Sequence, residues 1–569
     1  MAKRRRRRRR RKQLVPVLVA MLLVILVAIV GIITGVIKKY TPSDAKMDLA
    51  DYYHTSGDEI ALILQDTISE AKGKMVDGKA YLPYSILTEE LGGRFYWDKE
   101  SEKMLYTTAT GTLEIKPEDS TYTIAEQVKQ QDYVIVKKIG EEFYIALDFS
   151  EQYMPIQGEV YDNPNRIVLS YKWGETNTVT ASKDTVVRYQ GGIKSPILSE
   201  VKKGDTMVLL EEMENWSRIM TTDGIDGYVE KKNLEKPKTT EVSYTGEYKE
   251  DYSSLTREHK INLAWHQVTS EAANEALGET IQNMTGVNVI SPTWFSVTAN
   301  EGTISSLASA DYVNEAHNRG MEVWGLIDNF NPSVSTLETL STRSSREHII
   351  QKLLEEAQRV GLDGINVDFE ALTEEEAPHF IQFLRELSVV CRANNLVLSV
   401  DDPVPQFTGF YNRKEQGIVA DYVIIMGYDE HTTGSEEAGS VASLPFVKAG
   451  IEQTLQEVPK EKVINGIPFY TRLWTESNNG TLSSEVMTMD EASQYVQENG
   501  IEVYWEKETA QNYGELLTDN GTQKIWMEDE TSIEEKMKLI EQYGLAGVAS
   551  WKLGFERADV WNVISQYLQ

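Results

Sequence analysis

From residue 259 onward, short apolar runs alternate with amphipathic stretches. The runs are 261–265, 287–291, 322–327, 364–369, 397–400, 422–426, 463–467 and 547–551. Each has strand length and is largely apolar on both faces, as a strand covered on both sides must be. The stretches 348–360, 375–394 and 533–543 between them carry apolar residues at helical spacing. Strands alternating with helices predict a parallel sheet. Eight such units over 259–569 predict a (β/α)8 TIM barrel with insertions. An open doubly wound sheet is the competing fold, but no glycine-rich phosphate turn follows the first run.

The segment 47–173 repeats itself. In the first copy Asp77-Gly-Lys-Ala-Tyr-Leu-Pro83 leads into an amphipathic turn at 84–91, then Gly92-Gly-Arg-Phe-Tyr-Trp-Asp98 and Lys103-Met-Leu-Tyr-Thr107. In the second, Gly140-Glu-Glu-Phe-Tyr-Ile-Ala-Leu147 leads into 148–154, then Gly158-Glu-Val-Tyr-Asp162 and Arg166-Ile-Val-Leu-Ser170. Each copy reads strand, short helix, strand, turn, strand. The pattern resembles the small duplicated module at the N-terminus of copper amine oxidases and of wall-associated proteins. It implies a spacer or wall-contact domain. Only His54 lies in this segment, so nothing in it suggests metal binding. Residues 179–234 carry short β-rich runs, with Lys203-Gly-Asp205 as a turn, Trp216 before a strand, and Gly227-Tyr-Val229 near the end. These features resemble the bacterial Src-homology-3-like domain. The resemblance implies either wall-peptide contact or a purely structural small barrel. Residues 235–258 are polar and aperiodic, and read as a linker.

The N-terminus changes the picture. Residues 14–37 contain no charge, and at about 1.5 Å per residue they reach roughly 36 Å as a helix, enough to cross a bilayer. Ten consecutive bases, Lys3 to Lys12, precede the run, and Lys38 and Lys39 follow it. The run is longer than a cleavable signal sequence, and no small-residue cleavage site follows. The positive-inside rule then predicts a cytoplasmic tail at 1–13, one transmembrane helix at 14–37, and all later domains outside the cell. The alternative for the basic run is a nucleic-acid-binding arm. The balance of charge disfavours it: 88 acidic against 57 basic residues give −31, and twelve of the bases lie in the first forty residues. A body that acidic repels phosphate, so no nucleic-acid partner is expected. One cysteine, Cys391, excludes a disulfide framework. Seven scattered histidines show no ligand spacing, so neither metal nor cofactor is expected.

Candidate chemistry lies in the fourth run, Asp363-Gly-Ile-Asn366-Val-Asp368-Phe-Glu370. Strand side chains alternate, so Asn366, Asp368 and Glu370 share one face, and Ile365, Val367 and Phe369 the other. Burying polar groups in a row is costly, which argues for function over a structural network. Asp363 has the opposite parity and reads as a cap. Trp265 and Trp294 end the first two strands as either cleft walls or packing. The pattern Asp-x-x-Asn-x-Asp-x-Glu is similar to the Asp-x-x-Asp-x-Asp-x-Glu signature of glycoside hydrolase family 18. Met426-Gly-Tyr428-Asp429 resembles that family's Met-x-Tyr-Asp, and Trp551 its floor tryptophan. The resemblance covers about 260–569 and is strongest to the spore-germination and cortex-lytic glucosaminidase branch, which Ser291-Pro-Thr-Trp-Phe-Ser296 also fits.

That resemblance implies a retaining, substrate-assisted glycosidase of chitinase or N-acetylglucosaminidase type. It implies Glu370 as general acid, Asp368 as stabiliser of the cyclised intermediate, and Tyr428 as the group aligning the acetamido oxygen. Asn366, Asp429, Trp551, Trp265 and Trp294 are the candidate substrate contacts. Asn366 departs from the signature, because an amide cannot ionise. Its expected role is a hydrogen bond to Asp368, which leaves Asp368 ionised throughout. The implied partner is an N-acetylated glycan such as peptidoglycan or chitin, with 47–234 touching the wall and 14–37 the membrane. The alternative is a lectin-like relative that holds glycans without cleaving them.

Overall fold

The computed structural model describes residues 2–249 and 252–568, and only the backbone of 2–15 and of Phe407. The chain divides into two units. One holds the residues up to Gly93, with Glu118–Ser120 and Gln131–Lys249; the other holds Arg94–Pro117, Thr121–Gln130 and the residues from 252 onward.

The second unit is built on eight parallel strands: β1 (Ile261–His266), β2 (Val289–Val297), β3 (Glu322–Asp328), β4 (Gly364–Asp368), β5 (Val397–Pro403), β6 (Tyr422–Met426), β7 (Val463–Pro468) and β8 (Gly547–Trp551). Each pairs with the next, and β8 pairs with β1, so the sheet closes into the expected barrel. Parity sorts the side chains into two layers. Ile261, Leu263, Trp324, Leu326, Val397, Tyr422 and Ile424 fill the interior. Ile290, Val323, Ile365, Val367, Phe369, Val400 and Val423 pack outward among the helices. Residues 252–258 close the lower end: the Leu255 amide donates to Asp421, the Arg257 amide to the Tyr422 hydroxyl, and the Arg257 guanidinium pairs with Glu322 at 2.7 Å.

Two additions flank the barrel. After β7 the chain forms a five-stranded antiparallel sheet spanning Tyr470–Met527, with the helix Met489–Glu498 on one side. Its attachment to the helix Glu530–Tyr543 is a buried polar knot. Lys536 Nζ reaches both Glu528 oxygens at 3.0 and 3.1 Å, Ser532 Oγ donates at 2.7 Å, and Gln511 Nε2 donates at 2.7 Å.

The other addition comes from the repeat. Both copies show the expected strand–helix–strand–strand order, but their hairpins part company. Gln157–Tyr161 and Arg166–Ser170 of the second copy join the sheet of the first unit, where Arg166–Ser170 runs parallel to Glu59–Leu64. Phe95–Asp98 and Lys103–Thr108 of the first copy start a separate five-stranded sheet ending at Gln130. That sheet lies on two barrel helices, α1 (Arg343–Val360) and α2 (Ala377–Ala393). Arg346, wholly buried, holds Glu386 with two bonds at 2.8 and 3.0 Å beneath the Tyr96 ring. Glu415 receives Arg94 at 2.6 Å and Arg385 at 2.7 Å. Tyr96 and His379 share a 2.6 Å hydrogen bond.

In the first unit, the seven strands between Gly174 and Val242 form the antiparallel sheet of the 179–234 domain. The linker expectation is corrected at one point: Lys238–Val242 is a strand paired with Gly174–Thr180, because its β-branched residues extend an open sheet edge. The helix Ala2–Tyr40 contains Pro16–Tyr40, 25 residues long and apolar enough by composition to cross a membrane. The side chains of the basic run lie outside the described residues.

Candidate active site

The barrel mouth opens into a cleft of about 420 Å³, whose lining includes Trp265, Asp368, Glu370, Asp401, Tyr428, Asp429 and Trp551. These come from the C-terminal ends of β1, β4, β5, β6 and β8 or from the turns just beyond, where barrel enzymes keep their chemistry. The alternation expected for the fourth strand holds. Glu370 stands at the open end, and Asp368 lies one inward position below with 5% exposure.

Three aromatics make the floor and wall. Trp265 meets Trp551 at 6.0 Å between ring centres and Tyr428 at 6.5 Å, in both cases edge to face. Tyr470, from the inserted sheet, lies 6.3 Å from the Tyr428 ring and donates to Asp429 Oδ1 at 2.6 Å. Asp429 sits at φ +61°, the left-handed turn that swings the chain off β6. Burial, and then the neighbouring Tyr470, Asp368, Asp401 and Glu370, hold the Tyr428 phenol well above its ordinary pKa, so it remains a hydroxyl donor.

The Glu370 backbone is clasped by Asn329. Its amide donates to Asn329 Oδ1 and its carbonyl accepts from Asn329 Nδ2, both at 3.0 Å. The cleft walls strip water from the Glu370 carboxylate, and Asp429 and Asp328 add negative charge. Its pKa is raised for those reasons, in that order. Asp368 is raised well above the usual carboxylate value by burial first, then by Asp401, Glu370 and Asp328.

Two expectations are corrected. Asn366 is not a substrate contact and does not bond Asp368. It lies fully buried beneath the cleft with both ends of its amide engaged. Oδ1 accepts from Trp265 Nε1 and Ser291 Oγ at 3.0 Å, while Nδ2 donates to Ser399 Oγ at 3.0 Å and Asp401 Oδ1 at 2.7 Å. The hydrogen bond expected to keep Asp368 ionised is therefore absent, and the carboxylate beside Asp368 is Asp401 on the next strand. Trp294 is the second correction. It shares outward parity with Ile290, packs edge-on against Tyr312 at 4.9 Å, and donates to Asn274, away from the cleft. His266 likewise belongs to the core: it stacks on Tyr312, and burial, with Lys552 nearby, pushes its pKa down to about 4. Asp363 caps as expected, accepting from the Val323 amide and pairing with His317.

Sequence reasoning missed Asp401, Asp402 and Asn329. The fifth run continues into Ser399-Val-Asp401-Asp402, and the inward parity of Ser399 and Asp401 was a usable signal. Asp402 points outward, where burial raises its pKa to about 6 despite Arg413 Nε at 3.2 Å. Among the described residues no cluster of His, Cys, Asp and Glu is arranged to hold a metal ion.

Residues 310–556 match the family model for glycosyl hydrolases family 18. The match runs from before β3 to past β8, so the barrel is similar to family 18 glycosyl hydrolases. Residues 184–235 match the bacterial SH3 domain, and 65–168 the copper amine oxidase N-terminal domain. The chain is 25% identical over 294 residues to the uncharacterized glycosylase YvbX of Bacillus subtilis, covering 49% of this chain and 84% of that protein. It is 26% identical over 236 residues to the cortical fragment-lytic enzyme of the same organism, covering 40% of this chain and 54% of that protein. Among solved structures, the C-terminal domain of a protein described as a putative chitinase from Desulfitobacterium hafniense aligns with a TM-score of 0.51 and 21% identity. The alignment covers 55% of this chain and all of that one. It shares the barrel fold.

Proposed function

We propose that the chain is a membrane-anchored glycosidase that hydrolyses β-linked N-acetylglucosamine-containing glycans outside the cell, with retention and with the substrate's own acetamido group as nucleophile. The observation that carries this reading is the convergence of Glu370, Asp368, Tyr428 and Trp551 on one cleft. Trp551 offers a flat apolar surface to the face of a sugar ring. Glu370, whose pKa the cleft walls, Asp429 and Asp328 raise, donates its proton to the glycosidic oxygen as the bond to C1 breaks. The acetamido oxygen, aligned by the Tyr428 hydroxyl, bonds to C1. Asp368 accepts the acetamido N–H and stabilises the positive charge of the cyclised intermediate. Water then attacks C1 and gives its proton to Glu370, which restores the acid. The cortical fragment-lytic relative and the wall-type modules favour peptidoglycan over chitin as the substrate.

Incubating the protein with peptidoglycan and with N-acetylglucosamine oligomers, and following new reducing ends, tests the reading. Binding without cleavage on either would favour the lectin-like alternative. The helix Pro16–Tyr40 supports the anchor, and the basic run before it supports a cytoplasmic N-terminus. Protease added to intact cells is expected to degrade the acidic body; full protection would overturn the orientation.

The pH profile gives a further check. Asp328 accepts Ser296 Oγ at 2.8 Å and the Phe330 amide at 3.0 Å through one oxygen, Oδ1. Asp328→Asn keeps an acceptor there and removes a charge that raises the pKa of Glu370. The basic limb of kcat/KM, where Glu370 loses its proton, is expected to move to lower pH. A limb that stays put or moves upward would contradict the assigned acid.

A further inference from the structure

The barrel register lines up three carboxylates across neighbouring strands. Asp328 on β3 pairs directly with Asp368 on β4. The β4–β5 pairing sets Asn366 against Ser399 and Val367 against Val400, so the next step brings Asp401 beside Asp368. Adjacent strands lie about 4.8 Å apart, and side chains at one level on one face are immediate neighbours. Asp328 has two donors of its own. Asp368 and Asp401 are poorer in partners: Asp368 Oδ1 and Asp401 Oδ2 are both buried without a hydrogen-bond donor, and Asp401 Oδ1 is held by Asn366. Asp401 is 1% exposed. Two carboxylates buried side by side disfavour a second charge, and a single shared proton would give the bare oxygens a donor.

We propose that Asp401 is a positioning residue that shares one proton with Asp368 and takes it up fully when substrate binds. The proposal rests on the glycosidase reading above. In the resting site the proton lies between the two carboxyl groups. When the acetamido N–H arrives, the O–H bond on Asp368 breaks and one forms on Asp401. Asp368 is then a carboxylate when positive charge develops on the cyclised sugar. After product leaves, the proton returns, with none gained or lost over the cycle. Asn366, a neutral amide in the place of the signature's acid, cannot store that proton. It fixes Asp401, on the neighbouring strand, which can. The titratable groups around the pair are Asp328 on β3, Glu370 just past the end of β4, Tyr428 just past the end of β6, and Asp402, which turns outward to Arg413. Burial and these negative neighbours favour the protonated pair.

The test compares the wild type with Asp401→Asn and the exchange variant Asn366→Asp/Asp401→Asn on an N-acetylglucosamine oligomer across pH. Asparagine at 401 can still accept the Asn366 bond, so the site retains its shape. The single variant is expected to lose on the order of 10²-fold in kcat with little change in KM, and to alter the acid limb of the profile. The exchange variant, whose acid sits where residue 366 makes no bond to Asp368, is expected to stay as impaired as the single variant, and recovery there would count against the lateral Asp368–Asp401 contact. Infrared difference titration without substrate gives an independent readout: the wild type should show a coupled carboxyl pair that is lost in both Asp368→Asn and Asp401→Asn. Wild-type kcat and pH profile in Asp401→Asn, or carboxyl bands that titrate independently, would overturn the proposal. If the wild type cleaves no acetylated glycan, the glycosidase reading fails, and the infrared titration still decides the shared proton.

Discussion

Glu370→Gln is expected to stop turnover while leaving the cleft able to hold a glycan. The amide matches the carboxyl in size and keeps its backbone clasp to Asn329, so ring stacking on Trp551 and the Tyr428 hydroxyl remain. What is lost is the proton for the departing oxygen. Positioned acid catalysis is worth about 10²–10⁴-fold, and kcat should fall by that order with KM nearly unchanged. A second substrate separates acid from nucleophile. An aryl glycoside with a good leaving phenol needs little protonation, so Glu370→Gln should retain far more activity on it than on the natural linkage. Equal losses on both substrates would deny Glu370 its role as acid, and normal cleavage of the natural linkage would remove it from the chemistry.

Lys536→Met should produce the largest loss of stability. Lys536 and Glu528 are both essentially sealed from solvent, and the ammonium reaches both carboxylate oxygens. Ser532 and Gln511 contribute one neutral donor each, too little to replace a charge. Removing one partner of a buried pair costs about 3–5 kcal/mol, because the other charge stays behind without compensation. Denaturant unfolding followed by fluorescence should show the barrel transition at a lower midpoint. Lys536→Met/Glu528→Leu should recover much of the loss, since apolar side chains of similar size often match a buried pair. A single variant as stable as the wild type would mean that Glu528 picks up a proton at little cost.

The barrel was legible because its strands are buried on both faces and separated by amphipathic helices, a pattern that survives any loop length. The parity of Asn366, Asp368 and Glu370 was legible for the same reason. Parity also held the answer for Trp294, which shares the outward side with Ile290, but its position at a strand end outweighed that signal. Asn366 was misjudged because the local pattern names the residues along one strand and is silent on those beside it. Only the lateral register reveals that its amide serves Asp401. Likewise, nothing in 94–130 advertises its destination, since a hairpin has the same alternation whatever it packs on. The attachment to the barrel is made by Arg346, Glu386, Arg94 and Glu415, charged residues that a sequence reader assigns to the surface.

The sheet from Phe95 to Gln130 therefore makes the catalytic portion discontinuous along the polypeptide. A fragment trimmed to begin at 259 would keep every residue of the cleft and yet lay bare the flank of α1 and α2, with Arg346 and Glu415 stripped of their cover. A stable fragment is therefore expected to start well upstream of where the family match begins, and exchanging the amino-terminal modules for those of another protein would remove part of the barrel's own packing.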